Sequence, residues 1–461
     1  MIRICKAAIV LVLGLTVIFS LARLNGTEIQ RMEAGNGVDR AMALALDGSG
    51  GVCVTGYSYR PRSNYDFLTI RYDADGRLLW EALYDGPAGQ SDYAAAVAVD
   101  GNGCVYVAGH SNGRNTSLDL TLVKYDENGN RLWEVRYDGP SHRDDYACAL
   151  ALDAEGNVFV TGYSFGSGTE HDYVTLKYSP DGERIWADRY NSPLNRDDSA
   201  VDLVVDGEGR VIVTGTDRVR STSYDFATLA YDSQGKRVWT ARHSGEEGGF
   251  DTAAALTVDM DGNVYVTGYG ENRESGYDIF TLKYDRNGNR AWAAVYDGPA
   301  SRLDMSTDII TDGAGNVWVA GQSIGVDSAF DMCLLKYGVH GQALWTARYE
   351  GPAGGADAAV CLAATEESSV VVAGFSRGMN TERDIVLLKY DSSGALLWDK
   401  RFDGAFGGDD VPTSMAADLN GNIFVAGYSF GGASGFDFIT LKINRTGRIL
   451  WAARFPLQSN E

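Results

Sequence analysis

The 461-residue sequence predicts an all-β ring of eight four-stranded units, on three observations. Trp80, Trp133, Trp186, Trp239, Trp292, Trp345, Trp398 and Trp451 follow one another at a constant 53-residue step, and only Trp318 stands outside the series. Three other ladders keep the same step: an aspartate from Asp39 to Asp410, a glycine from Gly56 to Gly427, and a second aspartate from Asp66 to Asp437. Composition points the same way, because 56 Gly against 9 Pro, with abundant Tyr and Val, belongs to strands joined by tight turns.

Within one unit, four segments have strand character, as in the second copy: "AAAVAVD", "CVYVAGHS", "LDLTLVKYD" and "RLWEVRYDGP", called a to d. The a–b and c–d junctions ("DGNG", "DENG") are Asp/Asn/Gly clusters of hairpin type. Four antiparallel strands per ~50 residues, repeated radially, form a β-propeller, whereas a solenoid needs shorter, parallel rungs. The predicted fold is therefore an eight-bladed β-propeller over residues 39–461, with units starting at Asp39, Asp92, Asp145, Asp198, Asp251, Asp304, Asp357 and Asp410. The ladder Trp belongs to strand d, where a large ring fills the gap that widens between blades away from the axis. The Ala-rich a strands, such as Ala94–Val99, line the axis, where blades converge and only small side chains fit.

Residues 1–22 carry Arg3 and Lys6 and then a 16-residue apolar run ending near Ser20 and Ala22, the pattern of a secretory signal peptide, with an uncleaved anchor as the competing reading. Residues 23–38 read as a linker or, at 27–33, an extra edge strand. Removing residues 1–22 takes two positive charges from a chain of net charge −22, leaving −24. Such a surface repels phosphate backbones and anionic lipid, so neither nucleic acid nor membrane insertion beyond the N-terminal segment is expected. Cys53, Cys104, Cys148, Cys333 and Cys361 are odd in number and irregularly placed, which suits buried thiols better than a disulfide framework.

The pattern "NVYVTGYS…YDFLTLKYD..G..LW…YDGP" resembles the bacterial β-propeller repeat called SBBP, over residues 39–461. That family's name implies seven blades, where eight units stand here. The resemblance implies an exported bacterial protein, secreted or in the cell envelope, with no catalytic residues to carry over. The phrase Asp73-x-x-Gly76-x-x-x-Trp80 is also similar to the tryptophan-docking motif of eight-bladed quinoprotein dehydrogenases and of a related outer-membrane assembly propeller. The Asp–Gly spacing is one residue shorter here, and the chain lacks the adjacent cysteine pair of those enzymes.

Strand alternation places the d–a and b–c loops on one face, together with both Asp ladders. Sixteen carboxylates on one rim invite a calcium or general-acid hypothesis, but a residue present in every copy serves a need of every copy, and Asp beside a turn accepts backbone N–H bonds. No metal and no cofactor are expected. The "DMDGN" segment at 259–263 reads as a plain turn, since Gly270 occupies the place of the bidentate Glu of a calcium loop. The five histidines occupy different unit positions, which gives nucleophilic catalysis no framework.

The b–c segments vary, and Arg recurs in them without a single Lys: Arg60, Arg62, Arg114, Arg218, Arg220, Arg273, Arg377 and Arg383. These are the candidate ligand-binding residues, because Arg beside Tyr and Phe suits recognition of carboxylates, glycans or protein loops. The alternative is that they pair with the Asp ladders in solvated ion pairs. The sequence thus points to a monomeric binding or interaction scaffold for a protein or glycan, possibly acidic, with its ligand face on the b–c and d–a loops. An extracytoplasmic propeller enzyme, quinoprotein-like oxidoreductase or hydrolase, with a site at the axial channel mouth is the alternative.

Overall fold

The computed structural model describes residues 38–455 other than 62, 220–222, 246–248 and 366–367. The signal-like segment 1–22, residues 27–33, Arg62 and Arg220 lie outside the described residues. Eight four-stranded antiparallel sheets form the ring, each built from four consecutive strands in the order a-b-c-d. In blade 1 these are Arg40–Leu46, Val52–Arg60, Asn64–Tyr72 and Leu78–Tyr84, and blade 8 ends with strand d at Ile449–Phe455. The a strands of successive blades pack on one another all round the ring, which places them innermost. Strands b and c are buried almost throughout, whereas d alternates exposed and partly buried positions, as an outer edge must.

Each a strand carries a bulge, for example between Ala94 and Ala96, facing the ladder Gly of strand b. The bulge presses a backbone carbonyl so close that a Cβ on Gly109 would lie 2.2 Å from Tyr93 O. That contact explains the glycine ladder, because any side chain there would displace the innermost strand.

The tryptophan ladder joins blades. Trp80 Nε1–H donates to Glu127 O (2.9 Å), and its ring covers Gly129 in the c–d turn of blade 2. Gly129 has φ +85°, and a Cβ on it would lie 2.7 Å from the indole. The repeated phrase therefore holds a socket, the turn glycine, for the preceding blade's Trp, and a plug, the Trp, for the next blade. The ring closes by the same joint, Trp451 Nε1–H donating to Ala74 O (3.1 Å) over Gly76. Asp39 N–H also donates to Phe436 O (2.7 Å) beside a parallel bridge between Val38 and Phe436. Closure thus needs no exchanged strand. Trp318, outside the ladder, is a core side chain packed edge-on against Trp345.

Candidate functional site

The face bearing the d–a and b–c loops is built on the two Asp ladders. Asp92 illustrates the first: it accepts hydrogen bonds from Gly86 N–H in the preceding d–a loop (2.5 Å) and from Asn112 N–H at the end of strand b (3.2 Å). Asp145, Asp198, Asp251, Asp304, Asp357 and Asp410 receive the equivalent d–a loop N–H. These residues tie each loop to the next blade, the turn role expected of them. Burial, opposed by the hydrogen bonds, pushes Asp39, Asp92, Asp145, Asp198 and Asp251 up to about 6.

The second ladder is paired with arginines that sequence reasoning overlooked. Arg136 Nη2 lies 3.0 Å from Asp119 Oδ2, and the same guanidinium donates to Ser111 Oγ and O and to Tyr84 OH of the preceding blade. Arg189, Arg348, Arg401 and Arg454 repeat the pairing with Asp172, Asp331, Asp384 and Asp437. Arg242 reaches Asp217 instead, which stands where most blades have Ser. All six lie three residues after a ladder Trp, a spacing that would have revealed them. Leu83 and Val295 occupy the slot in blades 1 and 5.

Among the described residues, carboxylates that could hold a cation converge at four blade junctions: Asp66, Asp85 and Asp92; Asp119, Asp138 and Asp145; Asp278, Asp297 and Asp304; and Asp384, Asp403 and Asp410, with ligand atoms within 4.8 Å of one another. Arg136 and Arg401 bind carboxylates of the second and fourth groups, while the first and third belong to the blades with Leu83 and Val295.

The candidate arginines scatter around the rim. Arg60 and Arg377 are the last residues of strand b and Arg383 the first of strand c, so the b–c loops are shorter than their nine-residue variable segments. Arg377 and Arg383 stand opposite one another across the hairpin. Arg383 makes a bidentate pair with Asp409, a d–a loop residue next to the ladder, and Arg377 approaches Glu382 (3.7 Å). Arg114 donates to Pro87 O (3.0 Å), Arg218 stacks over Tyr224 (5.2 Å), and Arg273 is exposed. A shallow cavity of about 360 Å³ beside Arg377 is lined by Ala353, Met379, Thr381, Glu382 and Gly407.

A second feature of this face is an arc of partly exposed rings over blades 8, 1, 2 and 3. Arg40 sits 4.6 Å over Tyr428, and Tyr57 follows on the next strand. Ring centroids then continue from Tyr57 to Tyr93 (5.2 Å), His110 (5.5 Å), Tyr146 (4.8 Å) and Tyr163 (4.7 Å). His171 packs edge-on against Tyr163 and pairs through Nδ1 with Asp197 (2.8 Å). Burial drops His110 to about 4, and burial beside Asp144 raises Tyr146 to about 12, so both rings are uncharged at neutral pH. The arc rests on the residue after the first-ladder Asp: Arg40, Tyr93 and Tyr146 in blades 1–3, against Ser199, Thr252, Met305, Ala358 and Val411 in blades 4–8. Sequence reasoning missed it because its members come from strands of different blades.

The β-propeller repeat model SBBP matches residues 404–432. The SBBP resemblance is borne out. A second family model, described as outer membrane protein assembly factor BamB, matches residues 118–326. An uncharacterized WD repeat-containing protein of Acanthamoeba polyphaga mimivirus is 23% identical over 294 residues, 47% of this chain and 21% of that protein. The regulatory protein FlaEY of Caulobacter vibrioides is 27% identical over 221 residues, 41% of this chain and 22% of its own length. The chain therefore spans about a fifth of the length of these curated relatives. Among solved structures, one described as a eukaryotic initiation factor aligns over 92% of this chain and 89% of its own, at 8% identity and TM-score 0.50, a likeness of fold alone. The β-propeller domain of the trilobed protease of Pyrococcus furiosus covers 80% of this chain and 97% of its own, at 10% identity and TM-score 0.43. Among the described residues no helix is long and apolar enough to cross a membrane.

Proposed function

We propose that the protein is an extracytoplasmic binding scaffold whose ligand face is formed by the b–c and d–a loops, taking a protein or glycan partner. The observation that carries this reading is the ring arc, which departs from the repeat where nothing in the frame requires it. Glycine ladder, Trp joint and Asp caps recur because every blade must be built. The partly exposed rings of blades 4 and 5, Tyr224 with Phe250 and Tyr269 with Tyr277, form separate pairs, whereas the run from Tyr57 to Tyr163 crosses two blade junctions and serves no such common need. Partly exposed Tyr and Arg on a rigid support are residue types that dominate recognition surfaces. The signal-like N-terminus and the BamB-like match support a location outside the cytoplasm. The rim arginines add polar recognition around the arc, with Arg114, Arg273 and Arg377 the most exposed.

Screening the purified protein against glycan and envelope-protein panels tests this reading. The expected outcome is a ligand whose binding is lost on substituting residues of this face and retained on substituting the a–b and c–d turns, for example Asn128→Ala. Binding that maps to the a–b and c–d turns, or turnover of the ligand at the axial mouth, would overturn it.

A further inference from the structure

From the arc we infer a binding site for neutral oligosaccharides, with Tyr57, Tyr93, His110, Tyr146 and Tyr163 as stacking surfaces; the inference rests on the scaffold reading above and names its ligand class. Three features of the arc single out sugar over protein. First, its apolar surface is aromatic alone. The exposed large aliphatic and aromatic side chains of this face, Leu194, Phe250, Val326, Met379 and Phe406, all lie on loops at or beyond the blade 3–4 junction, and those of blades 1–3 themselves are on the outer d strands. A protein interface core also uses Tyr and Arg, but sets them among further apolar anchors packed to interior density, which the arc lacks. A pyranose needs a flat ring against its C–H face and planar polar groups for its hydroxyls.

Second, those polar groups stand beside the rings. Asp144 contacts Tyr146, Asp197 holds His171, and Asn112 Nδ2 donates to Ser91 O (2.7 Å), leaving its carbonyl oxygen as an acceptor. Third, the successive centroid distances of 5.2, 5.5, 4.8 and 4.7 Å are contacts between the rings themselves, so the arc is one continuous aromatic surface that can meet an extended ligand at more than one point.

Charge selects the neutral class. Burial keeps His110 and Tyr146 uncharged at neutral pH, the flanking groups Asp144 and Asp197 are acidic, and the chain as a whole has net charge −22. A polyanionic glycan would meet these carboxylates along the arc, with Arg40 over Tyr428 and Arg143 over Phe165 as the cations beside it. The rings hold each other edge-on or tilted, so the site is ordered before a ligand arrives, and binding costs little side-chain entropy.

The test is titration calorimetry of the full chain with maltohexaose, cellohexaose and mannohexaose, with hexagalacturonate as the anionic probe. At least one neutral hexasaccharide is expected to bind. Tyr93→Ala with Tyr146→Ala should weaken it at least about tenfold, and Thr252→Ala with Met305→Ala, the same positions in blades 5 and 6, less than about twofold. Should the alanine pair fail to fold, Tyr93→Leu with Tyr146→Leu keeps the buried volume and removes the flat rings, with the same loss expected, while Tyr93→Phe should retain binding. Affinity only for hexagalacturonate, lost on Arg377→Ala with Arg383→Ala, would overturn the neutral-sugar inference and leave the scaffold reading standing. So would an envelope protein that binds through Tyr93 and Tyr146 while no sugar does. No binding of any neutral hexasaccharide also refutes it, whatever the protein panel shows.

Discussion

Blades 1–3 and blades 4–7 share one frame and differ at one rim. In both sectors the ladder Trp covers the next blade's turn glycine, a bulged a strand presses on the ladder Gly, and an Asp caps each d–a loop. After that capping Asp, however, blades 2 and 3 place Tyr93 and Tyr146 where blades 5 and 6 place Thr252 and Met305. The first pair links rings across two blade junctions; the second interrupts them. The difference teaches where to look for function in a repeat protein: conserved periodicity reports how the ring is held, and a local departure from it reports what one sector does that the others do not.

The frame should respond alike in both sectors. Trp133→Ala removes a ring from Gly182 and the bond from Nε1–H to Pro180 O, and Trp345→Ala removes the bond to Ser392 O. Each is expected to cost about 3 kcal/mol, near the lower end for large aromatic deletions because the rings are half-exposed. Denaturant unfolding of both variants checks this, and costs that differ several-fold between them would break the equivalence.

A smaller effect is expected at the d-strand arginines. Arg136→Ala leaves the buried Asp119 without its counter-ion and should cost about 2 kcal/mol, with Arg401→Ala similar. Installing the missing group in blade 1, Leu83→Arg, should gain up to about 1 kcal/mol by facing Asp66. Arg114→Ala, which loses only an exposed bond, should change stability by less than about 0.5 kcal/mol. A Leu83→Arg protein less stable than the parent would show that blade 1 has closed over the slot.

Stability should also depend on pH through the capping ladder. Five carboxylates whose folded pKa is raised to about 6 bind protons more tightly than in the unfolded chain, so their contribution is full below about 4 and is lost as pH rises toward 6. His110 and His243, lowered to about 4 by burial, act in the opposite sense over the same range, but they are two against five. The Tm should therefore be higher at pH 5 than at pH 7. Below about 4 it should fall again, as Asp47, held low by the Ser49 hydroxyl and Arg71, and Asp409, held low by Arg383, become protonated. A Tm that declines steadily from pH 7 to pH 5 would show that the capping carboxylates are charged at no cost.

The smallest effect concerns metal. If the aspartates act as caps and arginine partners, chelator should leave Tm unchanged within error, whereas a bound cation at a hundredfold excess over Kd would add about 2.7 kcal/mol. A chelator-induced drop that Leu83→Arg abolishes would place a cation at Asp66, Asp85 and Asp92, the junction of the blade without the d-strand arginine.

The frame was legible because its determinants are local and repeated. The 53-residue step of Trp, Gly and Asp gave strand order, blade number and the position of the Trp, and the Asp/Asn/Gly clusters gave the turns. What the Trp touches was not legible, since Trp80 and its socket Gly129 lie 49 residues apart in neighbouring units. Arg136 escaped notice for a related reason: its value depends on Asp119 and Tyr84, on three different strands of two blades. The arc was hidden most deeply, because Tyr57, Tyr93, His110 and Tyr146 become neighbours only when adjacent blades are closed on one another. Of the variable b–c segments, the positions of Arg60, Arg377 and Arg383 proved to be the ends of paired strands, as the antiparallel ladder continues past the ladder Asp.

Hydrogen–deuterium exchange of the full chain with and without its bound ligand tests the central claim most directly. The account predicts that protection gained on binding is confined to the segments carrying the arc, around Tyr57–Tyr65, Tyr93, His110 and Tyr146–His171, with blades 5 and 6 unchanged. Protection spread evenly over all eight blades, or concentrated on the a–b and c–d turns, would contradict it.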